Sequence, residues 1–163
     1  MDERFTAGKP PPAIGPAQKL VQLSAGEEIH GFVISETIWG VGTHWRRSAG
    51  RNGRSERCLE DEGFCQGCED ELPSRWKGYI EIWCRERSRP VFVELTLGAY
   101  HALMNALRTR QKLRGLLFHA KRKGKKATTA LIAWLEECYH DLSFLPTPTD
   151  PEETLELLWN WDR

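Results

Sequence analysis

The chain contains 163 residues, of which 40% are hydrophobic, so it is long enough to bury one sizeable core. No apolar run approaches the roughly 20 residues that a membrane-spanning helix needs, which argues against that class of protein. Lysine and arginine together number 23, as do aspartate and glutamate, but the two signs are unevenly distributed. Eight acidic residues and one basic residue lie from Glu136 to Arg163, leaving 22 basic and 15 acidic residues before them. A basic body with an acidic end favours a polyanionic partner.

Residues 1–27 contain Pro10, Pro11, Pro12 and Pro16 and little that could form a core. Proline fixes its own backbone angle and provides no amide donor, so this composition is typical of a linker. We therefore predict a proline-rich flexible arm that leads into the folded domain.

Period-two patterning predicts strands at the start of a domain that spans residues 28–138. One long strand is predicted from Glu28 to Trp39 and a second extended piece from Val41 to Arg47, with glycines between them that allow a bend. Residues 48–57 are rich in serine, glycine and arginine, which predicts a flexible basic loop.

Three cysteines follow in a strongly polar segment, where buried apolar thiols are unusual. They are Cys58, Cys65 and Cys68, with His44 upstream. Zinc binds four Cys or His ligands in a tetrahedron at about 2.0–2.3 Å, and a Cys-x-x-Cys turn directs two thiolates into one small volume. Five cysteines are an odd number for disulfides, and the chain opens without the apolar run of a secretory signal, so we expect a reducing, cytoplasmic location. We predict a zinc knuckle at residues 44–72 that holds one structural ion.

His44 is the preferred fourth ligand, and Cys84 is the alternative. In the predicted strand Tyr79–Cys84, Cys84 shares a face with Ile80 and Ile82, which indicates a packed core thiol. Four protein ligands leave no open position for water, so the ion is expected to stabilise the fold without catalysing a reaction. The sequence has no persuasive carboxylate pair, nucleophile with a base or phosphate-cradling loop, and we do not expect an enzyme.

The rest of the domain is predicted as two strands, a helix and a hairpin. The strands span residues 76–83 and 91–96 and are joined by a turn. Thr96 is a candidate N-cap for an amphipathic helix that ends before Gly115.

A hairpin and an acidic tail complete the chain. The hairpin has strands at 116–122 and 127–135, joined by a tight basic turn. Residues 139–163 form an acidic C-terminal tail that is too short to be stably helical alone. Four of its apolar residues are available to a protein partner: Leu155, Leu158, Trp159 and Trp161.

Three strands, a helix and a two-strand hairpin are the element order of an OB-fold barrel. The returning strand from Val91 adds one piece to that order, so either the third strand is bent or an extra edge strand is present. We therefore predict a mainly β, OB-fold-like barrel of five to six strands with an inserted zinc knuckle. With His44, Cys58, Cys65 and Cys68 inside it, the chain resembles the zinc-containing single-stranded-DNA-binding proteins of T-even phage replication and proteins of bacterial mobile elements. The resemblance implies sequence-nonspecific binding of single-stranded DNA in replication, recombination or mobile-element function. It also implies that the acidic tail recruits replication or repair partners.

Aromatic and basic side chains are interleaved along the body of the chain, as single-strand binding requires. The predicted nucleic-acid contacts are Trp45, Arg46, Arg47, Arg54, Arg57, Trp76, Lys77, Tyr79, Trp83, Lys121, Arg122, Lys123, Lys125 and Lys126. Core packing is the alternative role for the aromatic rings, and for Trp83 above all. We expect the tail to compete for the basic groove when nucleic acid is absent.

A second hypothesis is a zinc-stapled adaptor subunit of a mobile-element, CRISPR or phage nucleoprotein assembly, binding RNA or protein. The sequence does not distinguish DNA from RNA as the ligand, because both offer bases and phosphates.

Overall fold

The structure of the chain is a computed structural model that describes residues 20–48, 51–110, 112–124 and 130–159. The strands are β1 (Leu20–Val21), β2 (Glu28–Val33), β3 (Trp39–Ser48), β4 (Arg51–Arg57), β5 (Ser74–Cys84), β6 (Arg89–Thr96), β7 (Leu117–Arg122) and β8 (Leu131–Glu136). The α-helices are α1 (Gln66–Glu69), α2 (Leu97–Leu107) and α3 (Pro151–Trp159), and a 3-10 turn spans Glu60–Glu62.

All eight strands belong to one sheet, whose main path runs β1-β6-β5-β2-β7-β8. β1 is parallel to β6, and the other pairs are antiparallel. The end strands β1 and β8 do not pair with each other, so the sheet is open across the described ranges. The prediction of a mainly β fold is confirmed, whereas a closed barrel is not observed.

β5 connects the main sheet to the part of the chain that carries the cysteines. The first half of one β5 edge pairs with β3, from Trp39 opposite Tyr79 to His44 opposite Ser74. The second half of the same edge pairs with β2, and β4 pairs only with β3. β3 and β4 therefore extend from the sheet as a hairpin, and this hairpin holds the first two candidate metal ligands.

The prediction of one continuous strand over 28–39 is wrong, because the chain leaves the β-ladder after β2. The amides of Ile34 and Ser35 both donate to the carbonyl of Glu81, and Ser35 Oγ accepts the Glu81 amide at 2.6 Å. Two donors on one carbonyl interrupt the regular pairing, and the strand resumes as β3.

The predicted flexible loop over 48–57 is also wrong, because most of it forms β4. Its serine, glycine and arginine content gives little intrinsic preference for a strand. Pairing with β3 overrides that composition, and Gly53 lies so close to the Trp45 ring that a Cβ would sit 2.7 Å from it. A contact between strands, invisible in the local sequence, therefore decides the structure here.

The main core lies between the inner face of the sheet and α2. It includes Ile80, Ile82, Cys84, Val91, Val93, Leu95, Ala99, Leu103 and Phe118. The prediction that Cys84 is a packed core thiol is confirmed, and burial raises the pKa of this thiol. Thr96 caps α2 as predicted, since its hydroxyl oxygen accepts the Ala99 amide at 3.2 Å.

The opposite face of β5 and β6 is covered by the C-terminal segment. A second apolar cluster comprises Trp39, Val41, Tyr79 and Phe92, with Leu155, Leu158 and Trp159 of α3 packed against it. Ahead of α3, the amide and hydroxyl of Thr149 donate to the two carboxylate oxygens of Glu81, at 2.9 and 2.8 Å. A nine-residue segment is marginal as an isolated helix, so this docking supplies the stabilisation that α3 needs.

Candidate metal centre and adjoining groove

Four potential metal ligands meet where β3, β4 and α1 come together. His44 lies on β3, Cys58 directly follows β4, Cys65 precedes α1, and Cys68 lies within α1. Their ligand atoms all lie within 4.8 Å of one another. The predicted ligand set therefore converges closely enough to hold one metal ion.

Two of the separations match the edges of a tetrahedral zinc site. Cys58 Sγ lies 3.7 Å from Cys68 Sγ, and Cys68 Sγ lies 3.4 Å from His44 Nε2. Bonds of about 2.3 Å to sulfur and about 2.0 Å to nitrogen place tetrahedral neighbours about 3.8 Å and about 3.5 Å apart. These two separations fit a single tetrahedral ion, and the other ligand atoms lie within 4.8 Å of one another, close enough to complete its four protein ligands.

The His44 ring is held with Nε2 towards the thiols. Its other nitrogen, Nδ1, lies 3.2 Å from the carbonyl oxygen of Leu72, and the residue is 4% exposed. When Nδ1 donates to this carbonyl, Nε2 carries the lone pair that a metal requires. A Cβ added to Gly67 would lie 2.5 Å from His44 Cδ2, so only glycine leaves room for the ring.

Backbone hydrogen bonds fold the two cysteine segments around the imidazole. The Cys58 amide donates to the Gly42 carbonyl at 2.8 Å, which ties the end of β4 to β3. The Leu72 amide donates to the Gly67 carbonyl at 3.0 Å, and Glu71 adopts a left-handed conformation with φ of 51°. This turn returns the chain from α1 to β5 and places the Leu72 carbonyl beside His44.

The thiols are too close for all of them to ionise without a counter-charge. Hydrogen bonds from the backbone of Leu59 and Cys68 lower the pKa of Cys65 to about 6. The hydrogen bond with the Cys58 thiol raises the pKa of Cys68 to about 12. A bound dication removes the repulsion between neighbouring thiolates, so the donor set favours a metal.

Arg46 supports the metal-bearing hairpin from outside. Its Nε donates to Glu56 at 2.8 Å, and a terminal nitrogen donates to Asp70 at 2.9 Å. Hydrogen bonds to these two carboxylates raise the pKa of the guanidinium. Arg46, predicted to contact nucleic acid, is thus engaged between β4 and the end of α1.

A groove of about 1160 Å³ runs beside the metal centre. Its walls include the end of the β3–β4 hairpin, the segment 65–67, residues 20 and 22–24, and α3. The groove brings together six of the predicted nucleic-acid contacts, namely Trp45, Arg54, Arg57, Lys77, Tyr79 and Arg122.

The two predicted aromatic contacts in the groove differ in exposure. Trp45 is 41% exposed, whereas Tyr79 is 1% exposed beneath α3. Burial, followed by the charge of Glu94, raises the pKa of Tyr79, whose hydroxyl donates to Glu94 at 3.4 Å. A base can reach Trp45 directly, but it can reach Tyr79 only if α3 moves.

Trp76 and Trp83, the other two predicted aromatic contacts, pack against neighbouring rings. The Trp76 ring lies 4.8 Å from the Tyr100 ring of α2, and the Trp83 ring lies 5.8 Å from that of Phe144, measured between centroids. Both tryptophans are half-buried. Their surroundings agree with the alternative role in packing that the sequence left open.

The cations of the groove are engaged by neighbouring groups. The ion pairs are Arg54 with Glu56 at 3.2 Å, Arg57 with Glu62 at 3.2 Å and Lys77 with Glu94 at 3.4 Å, while Arg122 donates to the Leu23 carbonyl at 2.6 Å. Glu156 of α3 also lines the groove, so four carboxylates accompany four cations there. A polyanion would therefore compete with the carboxylates for these cations.

The remaining predicted contacts are not part of the groove lining. Arg47 and Lys123 are exposed, and Lys121 forms an ion pair with Glu28 at 2.7 Å. Lys125, Lys126 and Trp161 lie outside the described residues, and their roles stay predictions.

The apolar residues of the predicted partner-binding tail are used within the chain itself. Leu155, Leu158 and Trp159 pack on the sheet, and Lys77 Nζ lies 5.6 Å from the centroid of the Trp159 ring. Trp159 Nε1 is buried, and its interaction with the Tyr79 hydroxyl partly offsets the rise in the pKa of Tyr79.

Sequence reasoning did not assign the segment 20–24 to the groove. The segment belongs to the predicted flexible arm, whose composition carries no periodic signal. In the structure, Leu20 and Val21 form β1 on the edge of β6, and Leu20, Gln22, Leu23 and Ser24 line the groove.

Comparisons of the chain with protein-family models, curated proteins and solved structures give no match. Among the described helices, none has the length and apolar character needed to cross a membrane.

Proposed function

We propose that this chain binds single-stranded nucleic acid along the groove and that a structural zinc ion fixes one wall of it. The supporting observation is the convergence of Trp45, Arg54, Arg57, Lys77 and Arg122 on one channel. An unpaired strand offers flat bases and phosphates, which aromatic rings and cations bind without regard to sequence.

The lining of the groove suits a charged, extended ligand. Small-molecule pockets are mostly apolar cavities of about 300–1,000 Å³ with few polar groups. This groove instead carries four cations and four carboxylates along its length. Phosphates that replace the carboxylates as partners would bind the same cations, with the steep salt dependence of nucleic-acid binding.

We assign the ion as zinc because three thiols and one imidazole are a common structural zinc set. His44, Cys58, Cys65 and Cys68 would hold it, and together they fill the tetrahedron. The ion would stabilise the β3–β4 hairpin and α1, and with them the wall that carries Trp45 and Arg54.

We also relate the open sheet to the OB-fold. Numbering β2, β5, β6, β7 and β8 from one to five places α2 between the third and fourth strands. The metal-bearing insertion then lies between strands one and two, and the basic hairpin turn lies between strands four and five. In OB-folds these two loops and the face of strands two and three bind oligonucleotides. Here that face, on β5 and β6, lies under α3.

We further propose that α3 competes with nucleic acid for this face. The helix covers Tyr79 and Phe92 and places Glu156 and Trp159 in the groove. A bound strand would displace the helix and free its apolar residues for a protein partner.

The proposal is tested by titrating a labelled single strand of about 20 nucleotides, longer than the 4–16 nucleotides bound per OB-fold, and following fluorescence anisotropy. Trp45→Ala should weaken binding about tenfold, since one base stack is worth about 1–3 kcal/mol. Tyr139→Ala is the matched control, because Tyr139 is 92% exposed and lies outside the groove lining. Metal content and the thermal midpoint check that both variants fold.

Two outcomes would contradict the proposal: no binding by the unaltered chain at low salt, or equal losses in the two variants. RNA and DNA single strands of one sequence, compared in parallel, assign the sugar preference.

The second candidate function is the zinc-stapled adaptor. The observation that favours it is Phe64, which is 63% exposed beside Cys65 and gives the metal centre an apolar surface feature. Single strands that leave the anisotropy unchanged, together with binding to a duplex or a protein, would support this function instead.

A further inference from the structure

The outer face of β7 and β8 carries an aromatic stack outside the groove. Trp134 of β8 and His119 of β7 are cross-strand partners, and their rings are nearly parallel, 7° apart in plane with centroids separated by 5.0 Å. Trp134 is 38% exposed, although the imidazole covers one face of its ring. Among the described residues, His119 is the one whose ring stacks on the indole, which leaves the other indole face available to a flat ligand.

The imidazole beneath Trp134 is fixed by further contacts. His119 Nε2 lies 3.1 Å from a Glu136 oxygen, and the His30 ring meets His119 edge-on with centroids 5.0 Å apart. His30 is held in turn by Glu86, whose oxygen lies 2.6 Å from Nδ1. A ring supported in this way loses little side-chain freedom when a ligand binds, which lowers the entropic cost of stacking.

Sheet stabilisation explains only part of this arrangement. Cross-strand aromatic pairs stabilise antiparallel sheets, which accounts for the contact between the two rings. It does not account for a large indole face left bare on a sheet whose neighbouring aromatic residues, Phe32 and Trp83, are packed by Phe144.

β7 connects this stack to the groove. Arg122, at the end of β7, lines the groove and is three residues from His119, about 10 Å along the strand and on the alternate face. Lys121 and Lys123 flank Arg122 and are exposed, and Lys121 is paired with Glu28 at 2.7 Å. A chain of phosphates leaving the groove at Arg122 would thus meet further cations before it reached Trp134.

We propose that Trp134 is a second base-stacking position for the same single strand that fills the groove. The strand leaves the groove at Arg122, crosses the end of β7 to the face that carries Lys121, and places one base on the exposed indole face, with His119 as the positioning residue beneath. The inference rests on the proposed function and extends its footprint to the outer face of β7 and β8. The occupant is a nucleobase because the surface combines a bare flat ring with adjacent cations, which matches a base attached to a phosphate chain.

The test measures anisotropy with labelled single strands of about 4 and about 16 nucleotides, the limits of the footprint of one OB-fold. Trp134→Ala should weaken binding of the longer strand about tenfold and leave the shorter one unchanged, because only the longer strand spans both positions. Trp45→Ala should weaken binding of both strands. Trp134→Phe, which retains a flat ring, should restore most of the affinity, and Tyr139→Ala should have no effect.

The outcomes separate the two proposals. If Trp134→Ala leaves binding of the longer strand unchanged while Trp45→Ala weakens that binding, Trp134 is not a second stacking position, and binding in the groove is still supported. Equal losses for both strand lengths, or no rescue by Trp134→Phe, would also refute it, as either indicates a general effect on folding. If the unaltered chain binds neither strand, both proposals fail.

Discussion

The role of each residue at the metal centre depends on the residues that surround it. Cysteine spacing predicted three ligands, because a Cys-x-x-Cys turn has few other uses in so polar a segment. Strand parity separated Cys84 from that set, and the structure buries it in the core. The roles of Gly67 and Leu72 were not predictable, since both act through contacts with His44 of β3 that depend on the fold.

Substituting His44 and Cys84 one at a time should show which of them is the fourth metal ligand. His44→Ala should reduce bound metal well below one ion per chain and lower the thermal midpoint, because three thiols leave the tetrahedron incomplete. Cys84→Ser should retain the full metal content, although burial of a hydroxyl in the core will cost stability. Elemental analysis of the purified variants gives the metal content, and a reversed pattern would assign the fourth ligand to Cys84.

Gly67→Ala should damage the metal centre through sterics alone. The new methyl group would lie 2.5 Å from the His44 ring, so the ring or α1 must shift and metal affinity should fall. Gly98→Ala is the matched control, because Gly98 lies in α2 with no atom within 4 Å of an added Cβ. There the same change should stabilise the fold by about 0.5–1 kcal/mol through helix propensity. Chelator competition and thermal unfolding measure the two effects, and equal metal retention in both variants would contradict the account.

At the scale of elements, patterned segments were predictable and contact-dependent ones were not. The helix capped by Thr96 and the β7–β8 hairpin follow from periodicity and turn residues, and both are observed. β4 and α3 have weak intrinsic preferences and exist because β3 and the outer face of the sheet accept them.

α3 provides an electrostatic test of competition with nucleic acid. Glu156→Gln removes a carboxylate from the groove lining and should tighten single-strand binding several-fold at low salt. Glu152→Gln removes the same charge from the exposed first turn of the helix, outside the lining, and should change affinity less. Deleting residues 147–163 should tighten binding further by exposing Tyr79. Anisotropy titrations compare the three, and unchanged affinity in the deletion would exclude competition.

At the scale of the whole molecule, the zero net charge conceals a separation between a basic body and an acidic end. In the folded chain this separation is partly cancelled, because α3 returns Glu156 to a groove lined by Arg54, Arg57, Lys77 and Arg122. Sequence reasoning gave the charge asymmetry and the order of elements. It could not predict that the sheet is open, since closure into a barrel depends on whether the two end strands pair with each other.

The salt dependence of single-strand affinity should show how many of these four cations contact phosphates. If all four neutralise phosphates of a single strand, the logarithm of affinity should fall with the logarithm of salt with a slope of about −3. Arg54→Gln should reduce the slope to about −2, whereas Arg87→Gln, in the turn between β5 and β6 and outside the groove lining, should leave it unchanged. Titrations at several salt concentrations give the slope, and equal slopes in both variants would remove Arg54 from the interface.

The two residues of β1 affect whether copies of the protein associate at high concentration. By pairing with Phe92 and Val93, they occupy backbone groups of β6 that would otherwise be free to recruit a strand from another copy. A chain shortened to begin at Gln22 should therefore form soluble aggregates at concentrations where the longer chain stays monodisperse, and light scattering coupled to size exclusion would detect them. A two-residue strand, whose Val21 packs in the main core and whose Leu20 packs against the second apolar cluster, would then also keep neighbouring copies apart.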